Sequence, residues 1–303
     1  LRSASQTRRG GTFEFTNATL EISFLKAELV QLSWGPGKES PPYAVVEKEW
    51  PQISISYRQT PQGGYRLSSP DLYIEISTYG KITFTDTEGQ TLRSEHPPQK
   101  QGSIWTHSAR LEEQERIHGL GEKAGPLNLR LADPAGNPAS YEIRNQDIGG
   151  FYSTGDDPLY FAVPLYLSRM PSKGYLIYYD NPFRGTFTFD HPIQKEDPRA
   201  TASFQGGLLR YYFTPGTPEE TLQTYTELTG RPPLPPNWAL GYHQCRWGYR
   251  TADQVREVVQ GFKDHDLPLS AFHLDIDYMD GYRVFTIHQE RFPDLSGLAK
   301  ELS

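Results

Sequence analysis

The hydrophobic period of the chain changes once, near residue 215, and that change limits the folds open to it. Up to about Tyr212, apolar and polar residues alternate in short runs: Thr12-Phe-Glu-Phe-Thr, Leu20-Glu-Ile-Ser-Phe-Leu, Ile53-Ser-Ile-Ser-Tyr, Leu72-Tyr-Ile-Glu-Ile-Ser and Lys81-Ile-Thr-Phe-Thr. Alternation of this kind belongs to strands that bury one face. Turn formers separate the runs, as in Tyr79-Gly-Lys and Asp86-Thr-Glu-Gly-Gln, and many short strands at regular spacing point to an antiparallel β-sandwich.

From Thr217 the period is helical. Thr217-Pro-Glu-Glu reads as a capping box with proline at the first helical position; Leu222, Tyr225 and Leu228 share one face, and Gly230 can close the helix. Arg231-Pro-Pro-Leu-Pro-Pro is a stiff linker poor in backbone donors. It divides an N-terminal β-sandwich domain, 1–231 with its linking helix at about 217–230, from a second domain at 232–303. There Ala239-Leu-Gly-Tyr-His-Gln-Cys reads as a strand, and Thr251 with Gln254 as a second capping box. Val255, Val258, Val259 and Phe262 line a helix face, the apolar run from Leu267 to Asp275 reads as a strand, and Asp294 to Leu302 as a helix. This order opens a parallel α/β domain. Read as a (β/α)8 TIM barrel, residues 232–303 hold its first two β/α units, under a third of the roughly 250 residues a barrel takes, so the barrel is truncated in this chain.

Composition narrows the function classes. A net charge of −7 with no basic run argues against nucleic acid. The apolar stretches are only strand-length, so none is expected to span a bilayer. Cys245 is the single cysteine, which excludes an internal disulfide and fits a reducing, cytoplasmic compartment. No charged-then-apolar leader follows Leu1, and a removed one would leave no trace. The abundant aromatics suit β packing and sugar-binding surfaces alike, and choose neither.

Asp275, Asp277 and Asp280 stand where the second apolar strand of the barrel surfaces, although burying a carboxylate costs several kcal/mol unless it is paired. In parallel α/β domains ligands gather at the carboxyl ends of strands. Strand alternation would put Asp275 and Asp277 on one side and Ile276 on the other. Trp247 and Tyr249 occupy the same edge after the first strand. A calcium loop is excluded, because Met279 takes a ligand position and Gly281 falls one place late. A catalytic carboxylate pair is poorly served by neighbours on one strand, since the two groups must flank a scissile bond. Two readings stay open: an acceptor for a polar ligand beside an aromatic wall, or solvated rim acids. By default Trp247 and Tyr249 are core residues, His243 and His273 satisfied strand histidines, Asp147 a polar loop residue, and Gly119-Leu-Gly121 no nucleotide site.

The run TELTGRPPLPPNWALGYHQCRWGYRTADQV, followed by LDIDYMDGYRVFT and RFPD, resembles the α-glucosidases of glycoside hydrolase family 31, as do GLGEKAGPLNLR from 119 and GDDPLYFAVPLYL from 155. The likeness runs from about residue 119 to the end; before that only the strand pattern agrees. It implies a β-sandwich leading into a (β/α)8 barrel, and retaining hydrolysis of terminal non-reducing α-linked glucose without metal or organic cofactor. Asp275 matches the carboxylate that accepts hydrogen bonds from the non-reducing glucose, Ile276 lines the same pocket, and Trp247 matches an aromatic wall. Asp147 matches a loop acid near the leaving-group sugar, although Arg144-Asn145 stands where the family often has Trp-Asn. No ligand role is carried over to Asp277 or Met279.

In the family the nucleophile and acid/base are aspartates on later barrel strands, expected beyond Ser303. None of the residues named here is therefore catalytic, and the 1–303 fragment alone is expected to be inactive. The implied partners are an α-glucoside or malto-oligosaccharide substrate and the remainder of the catalytic domain, with no nucleic acid and no membrane; a homo-oligomer stays open. The alternatives are a non-catalytic carbohydrate-binding or regulatory subunit, and a sister enzyme such as an α-xylosidase or glucosyltransferase.

Overall fold

The computed structural model describes residues 1–38, 41–42, 44–131, 137–192 and 196–303. The chain divides into two units, Leu1–Arg231 and Pro232–Ser303. In the first, the alternating runs form two antiparallel sheets. One is ordered Ser3–Thr7, Gly10–Glu14, Thr19–Phe24, Val30–Gly35, Leu209–Pro215, Gly174–Tyr179, Ala162–Arg169, Arg116–Gly121. The other runs Ala139–Ile143, Gly185–Phe189, Arg199–Phe204, Ile104–Arg110, Thr91–Glu95, Ile82–Thr85, Tyr73–Ile76, Tyr65–Ser68, Ser56–Gln59, with Gln99–Gln101 beside Ile104–Arg110. Their inner faces meet in one core, in which Phe84 stacks on Phe213 at 4.1 Å between ring centroids. Such sheet-on-sheet packing is a β-sandwich. The strand expected at Ile53–Tyr57 lies three residues later, at Ser56–Gln59.

The core also holds charge. Arg93 and Glu95, two apart on one strand, both point inward opposite Phe84 and Ile82. Arg93 Nε donates to Glu95 Oε1 at 2.6 Å, and both side chains are 1 % exposed. Tyr211 donates to Glu95 Oε2 at 2.5 Å, and His107 Nε2 lies 3.2 Å from the same oxygen. Arg93 also donates to the hydroxyls of Tyr166 and Tyr175 at 2.6 and 3.1 Å.

Helix α1 (Pro218–Thr229) has the expected capping box: Thr217 Oγ1 accepts from Glu220 N–H, and Glu220 accepts from Thr217 N–H. Its buried face differs from expectation, because Leu222 is 42 % exposed while Thr221 and Thr224 are buried beside Leu228. Thr221 carries no unpaired hydroxyl into the interior, because its Oγ1 donates to the carbonyl of Thr217. Leu228 packs with Leu25, Leu29, Leu176 and Tyr212, on a second cluster separate from the core between the sheets.

The second unit contains two parallel strands, His243–Cys245 and Ala271–His273, paired His243 to Ala271 and Cys245 to His273. Helices α2 (Ala252–Asp264) and α3 (Leu295–Leu302) follow them. Tyr249, Val255, Val259, Phe292 and Leu298 form its buried core. Both strands are shorter than expected. Asn237–Leu240 forms a 3₁₀ turn, so Ala239 and Leu240 are not in a strand. Ahead of the second strand, Pro268 has no N–H to donate, and behind it the chain turns at Asp275. At the start of α2, Thr251 Oγ1 accepts from Gln254 N–H, but the Gln254 side chain accepts from Arg250 N–H instead of completing the box on Thr251. Among the described residues no helix is long and apolar enough to cross a membrane.

Candidate functional site

The carboxyl ends of the two parallel strands release the loops that carry Trp247, Asp275 and Ile276. On the first loop Tyr249 is fully buried; its ring centroid lies 4.5 Å from that of Phe272, and its hydroxyl accepts from Gln244 Nε2 at 2.6 Å. Trp247, two residues earlier, is 71 % exposed. One of the two aromatics is thus core and the other is presented outward, and Gly248 between them (φ +111°) turns the chain.

On the second loop the expected alternation fails. Residues 275–278 form a turn, with Asp275 in the left-handed region at φ +58°. This is a conformation that Asp tolerates better than most residues. Asp275 and Asp277 therefore do not share a strand face. Asp275 is exposed and Ile276 half-buried, whereas Asp277 is 4 % exposed. The Asp277 carboxylate accepts from the Tyr282 hydroxyl at 2.9 Å and lies 3.6 Å from Arg250 Nε. The hydrogen bond to Asp277 raises the Tyr282 phenol. Asp280 is exposed and pairs with Arg283 three residues on. His243 Nδ1 and His273 Nε2 are 3.2 Å apart, and His243 Nε2 lies 3.2 Å from the Trp238 carbonyl. Among the described residues no group of three or more His, Cys, Asp and Glu side chains is placed to hold a metal ion.

Asp147 belongs to the sandwich unit, on the loop between Ala139–Ile143 and Ala162–Arg169. The base of this loop is firmly tied. Lys123 and Asp157 form an ion pair with side chains only 6 and 13 % exposed, and Asp157 Oδ2 accepts from Glu142 N–H at 2.5 Å. Asn145 Oδ1 accepts from Ala162 N–H at 2.8 Å, closing the loop. Gly119 and Gly121 mark a bulge on the strand facing the loop's return. A Cβ on Gly121 would stand 2.4 Å from the Phe161 carbonyl oxygen, so close backbone approach explains the motif. The tip is open: Asp147 is exposed and its Oδ1 accepts from Gly149 N–H at 2.9 Å.

A groove of about 1140 Å³ on the sandwich is lined by Lys26, Glu28, His118, Arg169, Lys173 and Gln223 among others, and by none of the four candidate residues. Its mixed charges match no single ligand chemistry. The spacing between Arg250 and Asp277 carries no local signal of their pairing.

Comparison with known proteins places both units. Residues 19–187 match the glycosyl hydrolase 31 N-terminal galactose mutarotase-like domain, and residues 232–303 match the glycosyl hydrolases family 31 TIM-barrel domain. The match therefore reaches back well before residue 119. Alpha-glucosidase 2 of Bacillus thermoamyloliquefaciens is 32 % identical over the whole of this chain, which covers 38 % of that protein. Alpha-xylosidase XylQ of Lactiplantibacillus pentosus is 30 % identical over 78 % of this chain and 31 % of its own length. A solved Flavobacterium johnsoniae family 31 dextranase, complexed with isomaltotriose, superposes with a TM-score of 0.77 at 26 % identity; the likeness covers 96 % of this chain and 36 % of that one. The chain spans under two fifths of the length of each of these relatives, and with a family domain matched across more than half of its residues it belongs to glycoside hydrolase family 31.

Proposed function

We propose that the protein to which this chain contributes is a retaining α-glucosidase that releases terminal non-reducing glucose from malto-oligosaccharides without metal or organic cofactor. The observation that carries this reading is Asp275, an exposed carboxylate just beyond the carboxyl end of a strand, in the part of the chain that matches the family 31 TIM-barrel domain. A carboxylate suits that task because charge-assisted bonds to hydroxyls are short and directional. Trp247 offers an aromatic face to the apolar side of a sugar ring, and Ile276 lines the pocket. The nucleophile and acid/base would come from outside residues 1–303, in the remainder of the catalytic domain. This chain binds and orients; the bond is cleaved by groups it does not carry.

The match to an alpha-xylosidase makes that sister activity the second reading. Rates of the complete polypeptide on an aryl α-glucoside and an aryl α-xyloside distinguish them. The two differ by one hydroxymethyl group, and one substituent in an apolar pocket is worth about 10- to 200-fold. We expect kcat/KM to favour the glucoside by at least about tenfold; a preference for the xyloside would move the assignment to the sister enzyme. Sugar binding without turnover of either would favour a binding subunit. Purified, monodisperse 1–303 should turn over neither substrate, since retaining hydrolysis needs two carboxyl groups flanking the bond.

Asp147 is assigned to the leaving-group sugar. Asp147→Ala in the complete enzyme should lower kcat/KM for maltose by about tenfold, the value of one hydrogen bond to a charged group. An activated aryl glucoside, lacking a second sugar, should lose little. Equal losses on both substrates would remove Asp147 from that position.

A further inference from the structure

Three carboxylates stand in the segment Asp275–Asp280, yet only Asp277 is buried, and neither the proposed sugar contacts nor the helix caps use it. Its surroundings explain why it is there. From the loop after the first strand, Arg250 Nε reaches to 3.6 Å of Oδ2, and a Cβ on Gly248 would stand 3.7 Å from the same oxygen. From the loop after the second strand, Tyr282 donates to Oδ1 at 2.9 Å, although its backbone is left-handed at φ +59°, an uncommon conformation for a bulky residue. From beyond that loop, Arg291 Nη1 donates to the Asp277 carbonyl at 3.2 Å, while the Arg291 carbonyl accepts from Ala252 N–H, the first residue of α2, at 3.1 Å. His288 N–H donates to the Tyr278 carbonyl at 2.8 Å and closes the excursion. The Asp277 carboxylate thus meets Arg250, from the segment that follows Trp247, across a 3.6 Å ion pair in which the Arg250 side chain is 73 % exposed, while the Asp277 carbonyl is tied through Arg291 to the start of α2.

We propose that Asp277 is a positioning residue: it fastens the Trp247 loop to the Asp275 turn and so sets where the wall and the sugar-holding carboxylate stand. This rests on the reading of Asp275 and Trp247 as sugar contacts. Asp277 touches no substrate itself. The Asp277 carboxylate is buried and turned towards Tyr282 and Arg250, away from a sugar, whereas Asp275, two residues earlier, is exposed. The left-handed conformations of Asp275 and Tyr282 are local arrangements that persist only while neighbouring structure holds them, and Asp277 is the polar group inside the turn that does so.

The test uses the complete polypeptide with Asp277→Ala, Asp277→Asn and Tyr282→Phe, read by amide hydrogen exchange and by kinetics on an aryl α-glucoside. Exchange reports local opening of a segment separately from unfolding of the whole unit. In Asp277→Ala, amides of 275–282 should exchange at least about tenfold faster while those of α2 keep their protection, and kcat/KM should fall at least about tenfold, chiefly through KM. Asp277→Asn keeps an acceptor for Tyr282 but loses the charge that faces Arg250, so slow exchange at 275–282 should return while kcat/KM recovers only in part. Tyr282→Phe removes one hydroxyl from a side chain that is 62 % exposed, so it does not threaten folding. It should shift both readouts in the same direction and add nothing on top of Asp277→Ala. Unchanged exchange at 275–282 in Tyr282→Phe and Asp277→Ala overturns the proposal. So does equal loss of protection in α2, which would make Asp277 a stability residue only. Asp275→Ala is the reference: if that variant is kinetically normal, the sugar-contact reading has failed, and exchange alone then decides whether Asp277 fastens the loops. If Asp275→Ala is impaired while a loosened Asp277→Ala turns over normally, the positioning role is wrong.

Discussion

Replacing Glu95 by alanine is expected to destabilise the sandwich by about 3–5 kcal/mol, the usual result of leaving a buried charge without its partner. Glu95 accepts from Arg93 and Tyr211 and faces His107, all in the closed space between the sheets. Removing it leaves the Arg93 guanidinium with tyrosine hydroxyls, those of Tyr166 and Tyr175 among them, and those are neutral. The urea midpoint of the sandwich transition measures this, and a loss under about 1 kcal/mol would show that Arg93 finds other compensation. Replacing both members with apolar residues of similar volume, Arg93→Met with Glu95→Leu, should recover much of the loss, because the desolvation of both charges disappears with them.

The same carboxylate sets an acid limit. Burial alone would push the Glu95 carboxyl up, but His107 and Arg93 beside it outweigh burial and hold it down at about 2, against 4.5 for an ordinary glutamate. A carboxyl that is more acidic in the folded state contributes stability that is complete above the unfolded value and lost as pH falls through the folded one. The contribution is about 3 kcal/mol. Unfolding free energy should therefore decline between about pH 4.5 and pH 2, and this component should be missing from Glu95→Gln.

The sandwich is legible in the sequence because alternation is strong wherever one face of a strand is buried. Ile74, Ile76, Ile82 and Phe84 all fall inside, as their spacing implies. Arg93 and Glu95 break the rule: charges at i and i+2 in a strand read as its solvent face, yet both are buried, as is Leu92 immediately before them. Their partners Tyr166, Tyr175 and Tyr211 are more than seventy positions away from them, and no local pattern announces such contacts. The barrel unit is less legible. Its strands are cut short by a 3₁₀ turn before His243 and by the turn at Asp275, features that an apolar run does not reveal. The acids of the site are visible as a cluster, yet their division of labour is not. Period-two reasoning holds only inside a strand, and one left-handed residue at Asp275 sends its carboxylate outward and that of Asp277 inward.

In the proposed function the Asp275 carboxylate holds the sugar. Hydrogen bonds to a charged group are worth about 1.5–3 kcal/mol, so losing the carboxylate should lower kcat/KM at least about tenfold, and further if the bonds tighten in the transition state. Alanine at this position also loses a side chain suited to the left-handed turn, whereas asparagine tolerates that conformation and loses only the charge. The decisive measurement is kcat/KM of Asp275→Asn and Asp275→Ala on an aryl α-glucoside in the complete polypeptide, with unchanged thermal unfolding as the check on folding. A loss of at least about tenfold in both, in well-folded protein, is what the account predicts; kinetics within about twofold of the parent enzyme for both would make Asp275 a solvated rim residue and contradict it.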